Sequence, residues 1–142
     1  MPFHRSQPRP FRWRLKGGSL LEIPVTTLPG LKVPIHLSYL IYLAKFSRAA
    51  AKAYFRCALG ICRATGTQPS ILLHPLDFMG REDCEKLAFF PGMDLARKRK
   101  LAIVSELFAI LTVNHEPVTM GEHARRAAAR DALPTFAPAF PT

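Results

Sequence analysis

The residues best suited to chemistry lie in one short stretch, Pro69-Ser70-Ile71-Leu72-Leu73-His74-Pro75-Leu76-Asp77-Phe78. The unperturbed imidazole pKa lies near neutrality, so His74 can give or take a proton with little tuning. Asp77 follows three residues later, close enough to accept an imidazole N–H and fix the tautomer of the ring. The stretch predicts an acid–base site at His74, although a lone histidine after an apolar run is more often structural.

The elements around His74 decide whether it faces a ligand. Residues 70–73 predict a short buried strand, and Pro75 ends it because proline cannot donate to a sheet ladder. His74 then falls at the carboxyl end of a strand, where α/β folds collect their ligands. Residues 26–34 predict a loop near the same end, and His36, just after the loop, is a second candidate for substrate contact.

The rest of the chain predicts a hairpin and two long helices. Alternation of apolar and basic residues in Phe11–Leu15 indicates a strand that turns at Gly17-Gly18 into a second strand over residues 20–25. One helix is expected over residues 38–63 with Ser38 as its cap, and another over residues 94–113 with Asp94 as its cap. Residues 117–120 predict a last strand, after which Thr119 and Glu122 open a short helix.

Four segments carry a family resemblance: residues 20–27 (LLEIPVTT), 34–39 (PIHLSY), 69–78 (PSILLHPLDF) and 87–93 (LAFFPGM). They resemble the carboxyl-terminal half of bacterial polysaccharide deacetylases of the NodB-homology type, over residues 8–123. The resemblance implies a distorted (β/α) barrel and a metal-dependent hydrolase that removes acyl groups from N-acetylated sugars.

The family's Leu-x-His motif is matched by Leu72-Leu73-His74. The resemblance implies that His74 is the catalytic general acid toward the leaving amine. Leu72, Asp77 and His36 are our candidate substrate contacts around it. The substrate class it implies is an N-acylated sugar polymer or a lipid-linked sugar.

The family's two early motifs do not occur in this sequence. They are a Thr-Phe-Asp-Asp-Gly run, which supplies the general base and one metal ligand, and a His-x-x-x-His pair. The chain has no Asp-Asp pair, and none of its five histidines form that pair. A catalytic zinc needs about three protein ligands, so we expect no cofactor in this chain and a zinc-like divalent metal in the full-length family.

Length fits a single core, with 142 residues of which 49% are hydrophobic. The family barrel is about twice as long, so we expect an α/β partial barrel lacking its amino-terminal half. Its expected boundaries are a disordered lead over residues 1–10, a barrel part over 11–131 and a disordered tail over 132–142.

Charge and cysteine content bear on partners and compartment. The formal net charge is +10, and two segments, residues 1–18 and 38–63, each carry five cations and no acid. This excess favours an anionic partner. The second segment has a basic stripe, Lys45, Arg48, Lys52 and Arg56, on one side of its helix. Three cysteines without a Cys-x-x-Cys pair are expected to be buried thiols. We expect a cytoplasmic protein, with peripheral membrane contact as an option.

Two function hypotheses result. The first is a deacetylase-like hydrolase acting on a non-peptide amide bond, in a truncated form that is inactive as an isolated chain. The second is a noncatalytic module in which the basic stripe binds anionic glycolipid or polysaccharide at a membrane surface. Specific nucleic-acid binding ranks low, because no recognition motif occurs.

Overall fold

The computed structural model describes residues 9–31, 33, 35–130 and 132–138. The chain divides into two units, one formed by Met1–Pro24 with Val118–Thr142 and the other by Val25–Pro117. The fold is mixed α/β, with these elements in chain order: β1 (Phe11–Leu15), β2 (Gly18–Glu22), α1 (Leu37–Phe46), α2 (Arg48–Ala64), α3 (Arg97–Thr112), α4 (Met120–Ala128) and β3 (Thr135–Phe136). None of the described helices is long and apolar enough to cross a bilayer.

The predicted hairpin is confirmed in the first unit. Strands β1 and β2 pair antiparallel from Phe11 opposite Glu22 to Leu15 opposite Gly18. The turn consists of Lys16 and Gly17, and Gly18 already pairs as the first residue of β2. The turn therefore lies one residue earlier than predicted, and β2 ends at Glu22 rather than Val25.

The carboxyl-terminal part of the first unit differs from the sequence expectation. Residues 135–136 were expected in a disordered tail but form β3, which pairs in parallel with β1. Phe136 packs edge-to-face on Phe11, with ring centroids 5.4 Å apart. This apolar contact stabilises the ordered conformation of residues 135–136. Residues 1–8 and 139–142 lie outside the described residues, so disorder in those parts of the lead and tail stays a prediction.

Helix α4 begins where the sequence predicts, but the prediction of a strand over residues 117–120 was wrong. Thr119 caps the helix by accepting a hydrogen bond from Glu122 N at 3.2 Å. Residues 117–119 have no strand pairing. The capping residue Thr119 has an extended backbone, as helix caps do. An extended backbone is also a feature of strands, but here it belongs to the cap.

The second unit contains α1, α2 and α3, and the predicted helix over residues 38–63 is in fact two helices. Ser47 separates them with extended dihedral angles, and its side chain accepts a hydrogen bond from Ala50 N at 3.2 Å. The hydroxyl thus caps α2. The predicted stop is confirmed, because Gly66 has a φ of 65° just after the helix.

The core of this unit lies between the three helices, with Leu40, Phe55 and Leu107 among its buried members. Cys62 is fully buried in a second cluster with Leu28, Ile35 and Ala58. Cys57 is exposed, contrary to the prediction that all three thiols are buried, and Cys84 is half-buried.

The start of α3 corrects two predictions. Its cap is Ala96 rather than Asp94, because the Asp94 carboxylate forms an ion pair with Lys45 Nζ at 2.6 Å. Lys100 ends the basic run of residues 97–100, for which the sequence predicts either anion binding or simple solvation, yet its side chain is only 1% exposed. Helical spacing predicts an inward face of Leu101, Val104, Phe108 and Leu111, but Leu101 is exposed and Phe108 is half-buried. The inward face of α3 therefore keeps Val104 and Leu111 from the predicted face and also includes Lys100, Ile103 and Leu107.

The predicted buried strand over residues 70–73 is wrong. The segment is extended, but hydrogen bonds hold it only at its ends: Thr26 N donates to Ser70 O at 2.9 Å and Leu37 N donates to Leu72 O at 3.2 Å. Ser70 N donates to the Thr26 hydroxyl rather than to a backbone carbonyl. A side chain thus takes the place of a ladder partner, and no continuous strand pairing forms.

Candidate functional site

His74 forms a cluster with Ser38 and Asp77 in the second unit. Ser38 Oγ donates to Asp77 Oδ1 at 2.7 Å and lies 3.1 Å from His74 Nδ1. The His74 side chain is 47% exposed, whereas that of Asp77 is 4% exposed. A buried carboxylate, a hydroxyl and a half-exposed imidazole therefore form a line from the interior to the surface.

The order of hydrogen bonds in this line fixes the proton on His74. A serine hydroxyl has one proton, and a carboxylate can only accept. Because the Ser38 hydroxyl already donates its hydrogen bond to Asp77, its oxygen can only accept a hydrogen bond from His74. Nδ1 must therefore carry a hydrogen, and Nε2 is the ring nitrogen left for proton exchange with a ligand.

Asp77 contacts the His74 ring through Ser38 rather than directly. His74 Nδ1 lies 3.9 Å from Asp77 Oδ2, which is too far for the hydrogen bond that the sequence predicts. Oδ2 accepts instead from the backbone N–H of His74 at 2.8 Å. The carboxylate thus holds both the backbone of His74 and the hydroxyl that orients its ring.

Ser38 is the site residue that sequence reasoning missed. It was predicted to cap the helix, but His36 occupies the cap position and Ser38 is the second residue of α1. Its hydroxyl is consequently available to Asp77. Since residues 38 and 77 are 39 positions apart, no local pattern links them; the only signal was that both lie in segments of the family resemblance.

Lys100 supports the turn that carries Asp77. Its ammonium donates to Leu76 O and Met79 O, both at 2.6 Å, and contacts Met93 Sδ at 3.3 Å. Burial lowers the pKa of Lys100, while the nearby Asp77 carboxylate opposes that shift. This lysine is fully engaged inside the protein, and its role is to fix the turn.

The other two predicted substrate contacts flank the cluster. Leu72 is 38% exposed, and its carbonyl accepts from Leu37 N, the residue after His36. His36 is half-buried and lies edge-on to Tyr39, with ring centroids 6.3 Å apart. Its Nδ1 is enclosed with no hydrogen-bond partner among the described residues. The structure brings the Leu72 and His36 segments side by side, and among the described residues no hydrogen bond joins the His36 ring to His74.

The basic stripe is largely paired with acids of the same unit. Lys45 pairs with Asp94, and Glu106 on α3 receives both Arg48 at 3.1 Å and Lys52 at 2.9 Å. The hydrogen bond from Lys52 lowers the pKa of Glu106. Three of the four stripe cations thus contact acids while staying partly exposed, and Arg56 is exposed with no acidic partner among the described ion pairs.

A groove of about 520 Å³ runs between α2 and α3. Lys52, Arg56 and Arg63 line it from α2, and Glu106 and His115 line it from the other side. Its apolar lining comes from Leu59, Ala109, Ile110 and Val113. No local sequence pattern predicts this groove, because its two walls are about fifty residues apart in the chain.

The described residues hold no group of three or more His, Cys, Asp or Glu side chains arranged to bind a metal ion. The donor set around His74 contains one imidazole, one carboxylate already bound to two donors, and one hydroxyl. It does not fit the three-ligand zinc site of the resembled family.

The chain matches no protein-family model, no curated protein and no solved structure.

Proposed function

We propose that this chain is the His74-bearing part of a polysaccharide deacetylase-like hydrolase that cleaves the amide bond of N-acylated sugars. The second unit would then be part of a distorted (β/α) barrel of the deacetylase type. The observation that carries the proposal is the Ser38–His74 contact of 3.1 Å, with Ser38 itself bonded to Asp77. The resemblance of Leu72-Leu73-His74 to the family's Leu-x-His motif supports the same assignment.

The proton arrangement suits a general acid. When water adds to the amide carbonyl, the departing amine needs a proton. A protonated His74 can donate from Nε2 while Nδ1–H stays bonded to Ser38, and the ring is then left in the tautomer that the hydroxyl already favours. The ring needs no rotation between the charged and neutral forms.

The water-activating part of the reaction has no candidate group in this cluster. We propose that the base and the metal ligands belong to an amino-terminal half bearing the Asp-Asp-Gly and His-x-x-x-His motifs. Asp77 is unsuited to replace that base, because both of its oxygens are occupied and its side chain is 4% exposed.

The test is a completed barrel, made by co-expressing the chain with an amino-terminal half that carries the two family motifs. Acetate release from a soluble N-acetylglucosamine oligomer is the measurement. We expect His74→Ala to lower kcat by roughly 10²–10⁴ with KM nearly unchanged. Ser38→Ala should lower kcat less, because it removes only the group that orients the ring.

His115→Ala is the matched control, since His115 lies in the same unit and makes none of the described hydrogen bonds of the cluster, and it should leave kcat unchanged. Equal rates for the wild type and His74→Ala in a folded, metal-loaded assembly would remove His74 from the mechanism. If His74→Ala only reduces the yield of folded protein, with kcat per folded molecule intact, the residue is structural.

The noncatalytic alternative, binding of anionic glycolipid or polysaccharide through the basic stripe, is a second proposal. One observation favours it: Arg56 is exposed and has no acidic partner among the described ion pairs. The stripe has fewer free charges than the sequence predicts, so binding through it should be weak and should disappear at high salt.

A further inference from the structure

The groove between α2 and α3 combines cations with apolar side chains. Arg56 and Arg63 are exposed at its α2 wall, while Leu59, Ile110 and Val113 give it an apolar lining. Pockets for small ligands commonly measure 300–1,000 Å³ and pair apolar walls with a few polar groups. At about 520 Å³ the groove falls within that range.

Its charge is fixed by contacts along both walls. Lys52 lines the groove and is held by Glu106, which Arg48 also contacts. The lining cations Lys52, Arg56 and Arg63 outnumber the single lining carboxylate, so two positive charges remain uncompensated. Arg63 donates to Asn114 Oδ1 at 3.2 Å, a neutral acceptor that orients the guanidinium without cancelling its charge.

A glycine, Gly60, is one of the residues that line the groove. Gly60 lies on α2 between Arg56 and Arg63, and a Cβ at this position would meet no atom within 4 Å. Glycine is a poor helix former, and Gly60 here leaves room in the middle of the groove. From Lys52 to Arg63 the α2 wall spans about 16 Å, at a rise of about 1.5 Å per residue.

From these features we infer that the groove binds an amphiphilic anion, a phosphate group carrying an alkyl chain. The guanidinium groups of Arg56 and Arg63 pair with the phosphate, since arginine presents its donors in a planar fork. The chain lies on Leu59, Ile110 and Val113. This site is separate from His74, and the inference does not depend on the hydrolase proposed above.

The experiment titrates the full chain with decyl phosphate below its micelle concentration, by isothermal calorimetry, beside inorganic phosphate and phosphatidylglycerol vesicles. We expect decyl phosphate to bind one per chain and at least tenfold more tightly than inorganic phosphate. Shortening the chain should weaken binding by up to about fourfold per methylene.

Three variants locate the site. The double variant Arg56→Ala/Arg63→Ala should lower the affinity at least tenfold, whereas Arg99→Ala, which removes an exposed cation of α3 outside the groove, should change it less than twofold. Gly60→Leu keeps every charge and fills the groove, so it should also lower the affinity at least tenfold. Circular dichroism of each variant establishes that the helices are retained.

Three results would overturn the inference. Equal affinity for inorganic phosphate would show that the apolar wall does not take part. Binding to vesicles without binding to monomeric decyl phosphate would assign the charges to a membrane surface rather than to a groove. Unchanged affinity in folded Gly60→Leu would place the ligand elsewhere.

Discussion

Replacing Lys100 by methionine tests whether a buried ammonium stabilises the turn that carries Asp77. Methionine keeps most of the length and volume of the lysine stem, so the substitution removes the charge and its hydrogen bonds without opening a large cavity. Leu76 O and Met79 O, each 2.6 Å from Nζ, would lose their donor.

The magnitude follows from two opposing effects. A hydrogen bond from a charged donor contributes about 1.5–3 kcal/mol net, so the two together contribute about 3–6 kcal/mol. Against this, the ammonium is costly to bury, as its lowered pKa indicates, and methionine removes part of that cost. We expect Lys100→Met to reduce the free energy of unfolding by about 2–4 kcal/mol.

Urea unfolding followed by circular dichroism measures this change, and the m-value should stay constant if only stability is altered. Lys98→Met is the matched control, because Lys98 is exposed on the same helix, and surface changes stay within about 0.5 kcal/mol. A Lys100→Met protein as stable as the wild type, or more stable, would show that dehydration of the ammonium outweighs its hydrogen bonds, and our account of the turn would be wrong.

Two further predictions concern a close backbone contact and an ion pair. A Cβ on Gly80 would overlap the backbone N and Cα of Arg97 at the start of α3, so Gly80→Ala should cost at least about 2 kcal/mol by urea unfolding, whereas Gly60→Ala, in open space on a helix, should add about 0.5–1 kcal/mol; equal effects would contradict the contact. The pKa of Glu106 is lowered in the folded state, so its contribution to stability is present above the unfolded pKa of about 4.5 and is lost as the pH falls through the folded value. Glu106→Gln should therefore flatten the acid limb of the stability–pH curve, and an unchanged limb would refute the pairing.

Local patterns predicted the elements that depend on near neighbours. Alternation over Phe11–Leu15 gave the hairpin, and a glycine after α2 marked its end correctly. The break at Ser47 was missed because a single capping serine inside an apolar-periodic run resembles an ordinary helix position. The errors at Asp94 and Lys100 have a different cause, since both side chains find partners that are distant in sequence.

The candidate site was predictable only in part for the same reason. The type and position of His74 and Asp77 indicated acid–base chemistry, but the 3.9 Å separation and the intervening Ser38 depend on how α1 packs against the turn. The groove depends on α2 and α3 together. Contacts between segments decide which polar groups meet, and a sequence pattern on one segment carries no information about them.

The difference in burial between the two thiols of α2 can be used to measure local opening of the core around Cys62. Cys57 is exposed, while Cys62, five residues later, is fully buried and has a pKa raised by that burial. A thiol reagent should label the exposed Cys57 in the folded protein, whereas Cys62 can react only after the helix separates from Leu28 and Ile35. The ratio of the two labelling rates, measured by mass spectrometry without denaturant, therefore reports the fraction of molecules in which this part of the core is open.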